Sequence, residues 1–141
     1  MLQKLILVPF FFLLTNAFAF SPVQEVKTKA LLEKGVLRII VEVPRGSHVY
    51  SLFLEDGLGP IRTKVFLEPG IEIPQKDLVE SKPMEIYDQA FDSKLLAHQG
   101  SFEVMIRLEK STRGPVKGYL LYQICDNRIC SLAQTTSFIA H

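Results

Sequence analysis

The segment LLYQICDNRIC, residues 120–130, contains both cysteines of the chain and predicts the local fold around them. An apolar, β-like run leads into Cys125, and the polar triplet DNR at 126–128 is rich in turn-forming residues. A hairpin that turns at this triplet would bring Cys125 and Cys130 onto neighbouring strands, within the separation that a disulfide requires. The segment therefore predicts a strand, a tight turn and a cysteine pair able to form a bond.

Short apolar runs separated by turn residues continue along the chain on the N-terminal side of this segment. Residues 102–108 alternate apolar and polar side chains, and residues 36–43 are rich in β-branched residues and stop at a Pro-Arg-Gly turn. The pattern predicts a single all-β domain built as an antiparallel β-sandwich, in which only residues 75–80 and 92–98 could be helical. Strands are predicted at 36–43, 48–54, 62–67, 102–108, 117–124 and 135–140.

The N-terminal residues have the organisation of a secretory signal peptide. Lys4 precedes an apolar run of about ten residues, and the A-F-A sequence at 17–19 matches a cleavage site. The apolar run is too short for a comfortable membrane span, so we expect cleavage after Ala19 and not an uncleaved anchor. The sequence thus predicts a signal peptide at 1–19 and an exported domain at 20–141.

The charge balance excludes two classes of partner. The predicted mature chain has fifteen basic and fifteen acidic side chains, and its formal net charge is zero. Nucleic acids and anionic membrane surfaces both require a basic excess, so neither is expected to be a partner. No later segment approaches the roughly 18 apolar residues of a membrane helix, and we predict no membrane insertion after signal cleavage.

Three interpretations of the cysteine pair remain open from the residues alone: a structural staple, a redox-active pair and a metal site. Closing so short a loop contributes only about 2 kcal/mol, less than a bond between distant strands would, which favours a redox role without establishing it. The spacing C-x-x-x-x-C after a β-like run differs from a thioredoxin-like C-x-x-C at a helix N-terminus. A metal site would need His48, His98 or His141, no two of which have ligand spacing, so we predict no metal.

Four stretches resemble one family. GYLLYQICDNRICSL, residues 118–132, is similar to the G-x-L-x-Y-Q-x-C…C signature of the N-terminal periplasmic domain of the thiol:disulfide interchange protein DsbD. Three further stretches match that family in the same order, and together they cover nearly the whole predicted mature chain. They are VPRGSHVYSL at 43–52, GPIRTKVFL at 59–67 and EIYDQAFDSKLLAHQGSFEVMIRL at 85–108. The resemblance implies an immunoglobulin-like β-sandwich.

The resemblance also implies a function. Cys125 and Cys130 would be a redox-active pair that receives electrons from a thioredoxin-like donor and passes them to periplasmic thioredoxin-fold proteins. We expect donor and acceptor to be separate chains, and we predict no cofactor. The family shields its disulfide with a cap loop, for which the match is residues 87–91, with Phe91 as the cap and Asp88 as a nearby acid. The chain departs from the family at 131–133, where Ser-Leu-Ala replaces the expected prolines.

Each further site residue also has a structural interpretation. Tyr50 and Tyr122 match family aromatics near the site, but both are equally interpretable as strand aromatics. Phe91 would be a core residue and Asp88 a turn residue in a chain without redox function. The alternative function is a non-catalytic secreted β-sandwich that binds a partner and keeps Cys125–Cys130 as a structural hairpin disulfide. Which cysteine attacks stays open at this point.

Overall fold

The computed structural model describes residues 24–57 and 59–141, so the predicted signal peptide lies outside the described residues. Within those ranges the chain forms twelve strands and one 3₁₀ turn, Gln75–Asp77, and no helix there is long and apolar enough to cross a membrane. The strands are β1 (Lys27–Glu33), β2 (Val36–Glu42), β3 (His48–Tyr50), β4 (Lys64–Leu67), β5 (Ile71–Glu72), β6 (Leu78–Glu80), β7 (Met84–Asp88), β8 (Ser93–His98), β9 (Ser101–Arg107), β10 (Val116–Tyr122), β11 (Ile124–Cys125) and β12 (Gln134–Ala140).

The strands form three four-stranded antiparallel sheets. Their orders are β1-β2-β9-β6, β12-β10-β4-β5 and β11-β3-β8-β7. The first two sheets contribute most of one large buried cluster, which makes them the two layers of a sandwich with the core between them. The all-β, immunoglobulin-like antiparallel sandwich predicted from the sequence is confirmed.

The pairing of β2 with β9 shows how alternation produces the core. Leu37, Ile39 and Val41 are buried on β2, and their partners on β9 are Ile106, Val104 and Phe102, which are buried as well. Each such side chain contributes about 1.5–3 kcal/mol on leaving water. A shift of either strand by one residue would turn its three buried side chains towards solvent, so the hydrophobic pattern fixes the pairing.

Gly118 allows β10 to run between β4 and β12. A Cβ atom at this position would lie 2.2 Å from the carbonyl oxygen of Phe66 and 2.6 Å from Cζ of Phe138. Neither distance is tolerable for a real Cβ, and the first contact is with backbone that cannot rotate away. Close packing of β10 therefore requires glycine here.

Neither of the two segments that could be helical, 75–80 and 92–98, forms an α-helix. Residues 93–98 form strand β8, which pairs with β3 and β7, and residues 78–80 form strand β6 beside β9. Only Gln75–Asp77 makes a single 3₁₀ turn. Pairing with strands distant in sequence overrides the weak local preference of these short segments. The predicted strand at 48–54 ends at Tyr50, because a turn follows at 52–53.

The third sheet separates two environments. On neighbouring strands β3 and β11, Val49 and Ile124 face the large core, and they lie opposite each other. The next residue on each strand points to the other side, so Tyr50 and Cys125 enter a second, smaller buried cluster with Ala97. The period of two along a strand therefore carries the cysteine out of the structural core and into a site of its own.

Candidate thiol–disulfide site

The cysteines are bonded across a tight turn. Cys125 and Cys130 form a disulfide with their Cα atoms 4.0 Å apart, and they face each other as an isolated antiparallel bridge. The Asp126 carboxylate accepts hydrogen bonds from the backbone N–H groups of Arg128 and Ile129, at 2.7 and 2.8 Å. Both bonds lower the pKa of Asp126, and the bond from Ile129 has the larger effect. The turn predicted at 126–128 is confirmed, with Asp126 as the residue that closes it.

The two sulfur-bearing residues differ in accessibility. Cys125 is 1% exposed, whereas Cys130 is only partly buried. Both line a surface groove of about 560 Å³, whose rim includes Ile129 and Leu132. These two apolar side chains are 70% and 88% exposed. A reagent that enters the groove therefore meets Cys130 beside an apolar surface, while Cys125 lies behind it.

The departure from the family's prolines has a local structural role. The backbone N–H of Ser131 donates a 2.8 Å hydrogen bond to the carbonyl of Ile124, which proline could not make. The Ser131 hydroxyl also accepts a bond from the N–H of Ile124 and donates one to the carbonyl of Leu132. Ser131 thus ties the segment after the second cysteine back to the strand before the first.

A buried polar group lies directly against the disulfide. The Tyr50 hydroxyl is 3.1 Å from Sγ of Cys125 and 3.7 Å from Sγ of Cys130. It donates its one proton to Oδ2 of Asp88 at 2.5 Å, the charged and therefore stronger acceptor. Nε2 of His48 lies 2.9 Å from the same carboxylate oxygen and 3.4 Å from the Tyr50 hydroxyl. All three side chains are buried.

Asp88 also orders the loop that carries Phe91. Its second oxygen, Oδ1, accepts bonds from the backbone N–H groups of Ala90 and Phe91, at 2.9 and 3.3 Å. The Phe91 ring packs edge-on against Tyr50 with the centroids 6.1 Å apart, and it belongs to the cluster that contains both cysteines. Strands β7 and β8 flank this loop, so Phe91 lies at the tip of a hairpin.

Tyr122 lies elsewhere. Its ring is part of the large core, and its hydroxyl accepts a bond from the N–H of Val26 and donates to Gln134. The fold therefore brings Tyr50, Asp88 and Phe91 together with the cysteines, whereas Tyr122 contacts the sandwich core and the strand-flanking segment near Val26.

Burial and mutual hydrogen bonding shift the pKa values of Tyr50 and Asp88. Burial and the hydrogen bond to Asp88 raise the pKa of Tyr50 far above its ordinary value, so the phenol stays protonated. Burial alone would raise the pKa of Asp88, but the hydrogen bonds from Tyr50 and His48 outweigh it and lower that pKa. At neutral pH the site therefore contains a buried carboxylate that its neighbours stabilise.

Comparison with solved structures identifies the architecture. No family model and no curated protein matches the sequence. The reduced N-terminal domain of DsbD from Neisseria meningitidis superimposes with a TM-score of 0.58 at 18% identity, over 78% of this chain and 79% of that one. The chain has the fold of a DsbD N-terminal domain.

Two further structures agree with this DsbD-like fold. One is the complex between the DsbD N-terminal and PilB N-terminal domains of Neisseria meningitidis, with a TM-score of 0.57, 16% identity and coverage of 86% and 87% of the two chains. The other is the N-terminal periplasmic domain of ScsB from Proteus mirabilis, with a TM-score of 0.51, 13% identity and coverage of 81% of this chain and 43% of that one.

The candidate site also groups atoms that could bind a metal ion. One ligand atom each from His48, Asp88 and Cys125 lies within 4.8 Å of the other two, which makes this a group of side chains that could hold a metal ion. In this state the Cys125 sulfur is bonded to Cys130, and Oδ2 of Asp88 already accepts bonds from its neighbours. The donors are thus engaged with one another, and the absence of a metal stays a prediction.

No exchange role was predicted for His48 from the sequence, yet its side chain lies at the centre of the polar group beside the disulfide. A signal was present, because His48 and Tyr50 are two residues apart in a strand and share a face. The hydrogen-bond partner of His48, Asp88, is forty residues away along the chain, so local spacing does not reveal the contact. A second buried pair, His98 with Glu80 at 2.8 Å, lies outside the cysteine cluster and provides a natural comparison for the first.

Proposed function

We propose that this chain is a thiol–disulfide exchange module of the periplasm. Electrons would enter the Cys125–Cys130 disulfide from a thioredoxin-like donor and leave to a thioredoxin-fold acceptor. The observation that carries the proposal is the asymmetric disulfide, with Cys130 at an apolar groove and Cys125 buried against a polar group. A DsbD N-terminal domain of the same fold forms a complex with the PilB N-terminal domain, which supports a thioredoxin-fold partner.

The difference in burial assigns the cysteines different roles within the proposal. A thiolate must approach the attacked sulfur in line with the S–S bond, so the accessible sulfur of Cys130 is the one attacked. Cys125 is then the leaving group when the module is reduced. In the opposite direction, reduced Cys130 attacks the acceptor's disulfide, and Cys125 resolves the mixed disulfide.

The other site residues act on this pair. Phe91 would shield the sulfurs from small oxidants and thiols until a docking partner displaces the β7–β8 loop. Asp88 would hold that loop through Oδ1 and the Tyr50 hydroxyl through Oδ2. Tyr122 would act on stability through Val26 and Gln134, since its contacts lie in the large core.

The proposed location rests on the N-terminal residues and on the periplasmic domains that share the fold. We infer that residues 1–19 are removed after Ala19 and that residues 20–141 form one exported domain. Mass spectrometry of the protein recovered from the periplasm tests this directly. A mass that begins at Phe20 is expected, and a protein that keeps Met1 and stays with the membrane fraction would contradict it.

The reduction potential of Cys125–Cys130 is the first test of the function. Equilibration in graded thiol and disulfide buffers should give a value of roughly −180 to −270 mV, the range in which thiol oxidoreductases work. A value below about −300 mV would describe a bond that the thiol pool cannot reduce. The chain would then be the secreted binding module with a structural disulfide.

Trapping tests the partner class. Cys125→Ala leaves the accessible Cys130 thiol without its resolving partner, so mixed disulfides with thioredoxin-fold proteins should accumulate on it. Cys130→Ala is the matched control, because it keeps one thiol but leaves it buried, and it should trap little. Equal trapping by both variants would overturn the assigned roles, and the absence of any specific adduct would count against the exchange function.

A further inference from the structure

Reduction of the disulfide requires the buried Cys125 thiolate to gain a proton. When a thiolate attacks Cys130, the S–S bond breaks and its electron pair stays on Cys125 as a thiolate. A thiolate with 1% exposure has almost no contact with water, and desolvation disfavours its charge. The reaction therefore needs a proton to reach Cys125 through the protein.

A second opening approaches the site without including either cysteine. A cavity of about 210 Å³ is lined by His48, Asp88, Asp126 and Gln99, together with neighbouring residues of β7, of the loop after it and of the turn after β11. The groove over which a partner is proposed to dock is lined by both cysteines and does not include His48. Solvent thus has a route to the acidic end of the polar group that a partner seated over Cys130 does not occupy.

Hydrogen-bond distances connect this cavity to the sulfur. Nε2 of His48 lies 2.9 Å from Oδ2 of Asp88, that oxygen accepts the proton of Tyr50 at 2.5 Å, and the Tyr50 oxygen lies 3.1 Å from Sγ of Cys125. His48 also lies within 3.4 Å of the Tyr50 hydroxyl. No gap along this path exceeds the length of a weak hydrogen bond.

We propose that His48 is a proton-transfer residue of the exchange reaction, which takes a proton from the solvent of this cavity and passes it by way of Asp88 and Tyr50 to Cys125. The inference rests on the proposed function and extends it to a residue to which neither the family resemblance nor the compared structures assign a role. Histidine suits this position because one ring nitrogen can accept a proton while the other gives one up. Tyr50 alone would not suffice, since burial beside Asp88 keeps it from remaining ionised.

The donor thiolate forms a bond to Cys130 Sγ, the Cys125–Cys130 bond breaks, and its electron pair stays on Cys125. Tyr50 gives its proton to the Cys125 thiolate while the His48–Asp88 pair returns one to Tyr50, and solvent restores the proton of that pair. The donor's second thiol then forms the donor disulfide and releases Cys130 as a thiolate, which takes up the proton of that second thiol, so the pair has gained two electrons and two protons. When the reduced module gives its electrons to an acceptor, the same path removes the proton of Cys125.

Few other charged groups bear on His48. Asp88 approaches it from β7, Tyr50 lies on its own strand, and Asp126 faces it from the turn after β11. Tyr87 of β7 also lines the cavity, and its hydroxyl donates a hydrogen bond to the Asp92 carboxylate. The remaining polar residues there, Gln89, Gln99 and Asn127, are neutral. The proton path therefore depends on a carboxylate and a phenol in direct contact and on one further carboxylate at the cavity.

The test compares His48→Gln with His98→Gln. Glutamine keeps an N–H able to bond the carboxylate but does not exchange protons near neutral pH. His98 is the matched control, since it is buried and bonded to the Glu80 carboxylate outside the cysteine cluster. Reduction of each oxidised protein by dithiothreitol is followed by stopped flow from pH 5 to 9, with rates corrected for ionisation of the reagent. A urea unfolding curve verifies that each variant is folded.

We expect His48→Gln to slow reduction about a hundredfold at pH 7, the lower end of the range for loss of a general acid. The corrected pH profile of the wild-type protein should bend, and the bend should be lost in His48→Gln and kept in His98→Gln. Equal rates and profiles for His48→Gln and wild-type protein would overturn the proposal while leaving the exchange function intact. Equal slowing in both variants would show a structural effect and would overturn it too.

A measurement on the wild-type protein makes the test independent of folding of the variants. Reduction in D₂O should be slower than in H₂O by a larger factor than for a small unstructured disulfide, because a proton moves as the bond breaks. An isotope effect equal to that of the small disulfide would contradict the proton path. A wild-type disulfide that dithiothreitol does not reduce would instead overturn the exchange function itself, and with it this proposal.

Discussion

The Tyr50 hydroxyl lies 2.5 Å from Oδ2 of Asp88, and the same oxygen of Tyr50 is 3.1 Å from the Cys125 sulfur. One buried atom therefore joins the acid of the site to its disulfide. Because Asp88 also accepts a hydrogen bond from the backbone of Phe91, a change at Tyr50 affects both the charge beside the sulfur and the residue that orders the Phe91 loop.

Tyr50→Phe should separate this role from ordinary packing. The substitution keeps the ring but removes a hydrogen bond to a buried carboxylate, so we expect a loss of about 1.5–3 kcal/mol in the free energy of unfolding. The rate of disulfide reduction should fall as well, because the Cys125 thiolate loses its donor. Urea unfolding and dithiothreitol kinetics measure the two effects.

Tyr122→Phe is the control, since it makes the same chemical change in a buried tyrosine of the large core. It should cost about 0.5–1.5 kcal/mol, the value of neutral hydrogen bonds, and leave the reduction rate unchanged. A slower exchange in Tyr122→Phe, equal to that in Tyr50→Phe, would contradict the separation of the two tyrosines.

The Asp88 carboxylate should make stability depend on acidity. Its pKa is lowered in the folded protein, because the hydrogen bonds from Tyr50 and His48 outweigh the opposing effect of burial. The contribution is present above the unfolded-state pKa of about 3.9, and it is lost as the pH falls through the lower folded-state value. Asp88→Asn should thus cost about 2 kcal/mol at pH 7 and progressively less below about pH 4.

Unfolding curves of wild-type and Asp88→Asn protein at pH 7, 5 and 3 check this expectation. The pKa of Glu80 is also lowered, by bonds from His98, Ser51 and Leu52 against the effect of burial. Hydrogen bonds lower the pKa of Asp126 and of Glu103 as well, so the wild-type protein loses several such contributions in acid. A difference between the two proteins that stays constant down to pH 3 would refute the assignment to Asp88.

Phe91→Ala tests the cap. Removing the ring uncovers the cluster that holds the disulfide, so the reduction of the bond by a small thiol should become several-fold faster. Phe66→Ala is a suitable control, because Phe66 is a partly buried ring stacked on Tyr119 in another sheet. It should lower stability without accelerating reduction, and acceleration in both variants would mean that general loosening is the cause.

Gly118→Ala should be severely destabilising. The new methyl group would lie 2.2 Å from the backbone oxygen of Phe66, and a contact with backbone cannot be relieved by rotating a side chain. We expect a loss of about 3 kcal/mol or more in urea unfolding of the oxidised protein. Gly57→Ala, where nothing lies within 4 Å of the added Cβ, should change stability by less than about 0.5 kcal/mol.

The sequence predicts the long strands well because their burial alternates. β2, β9 and β10 have apolar residues at every second position, and each carries that pattern into the core. β1 and β7 were missed, since both are exposed over much of their length and contain several charged residues. Such edge strands are held by the neighbour with which they pair and leave a weak local signal.

The sequence indicated several residues of the candidate site but not the contacts among them. Cys125, Cys130 and the loop with Phe91 were found because motifs mark them. The contacts among Tyr50, Asp88 and the disulfide depend on pairings between β3, β8 and β7, which local patterns do not specify. The burial difference between the cysteines likewise follows from where β11 ends, and no spacing in the chain encodes it.

The small cluster around Tyr50, Ala97 and Cys125 is separate from the large cluster between the two main sheets. In the described part of the chain, β7 pairs with β8 alone, so the hairpin that carries Phe91 forms the border of its sheet. Lifting that hairpin breaks contacts of the small cluster while the large one persists. The free energy of exposing the disulfide and the free energy of global unfolding are thus two separate quantities, which amide hydrogen exchange resolves residue by residue. A domain with this layout can become a faster or slower thiol reagent through a few substitutions without becoming a less durable protein.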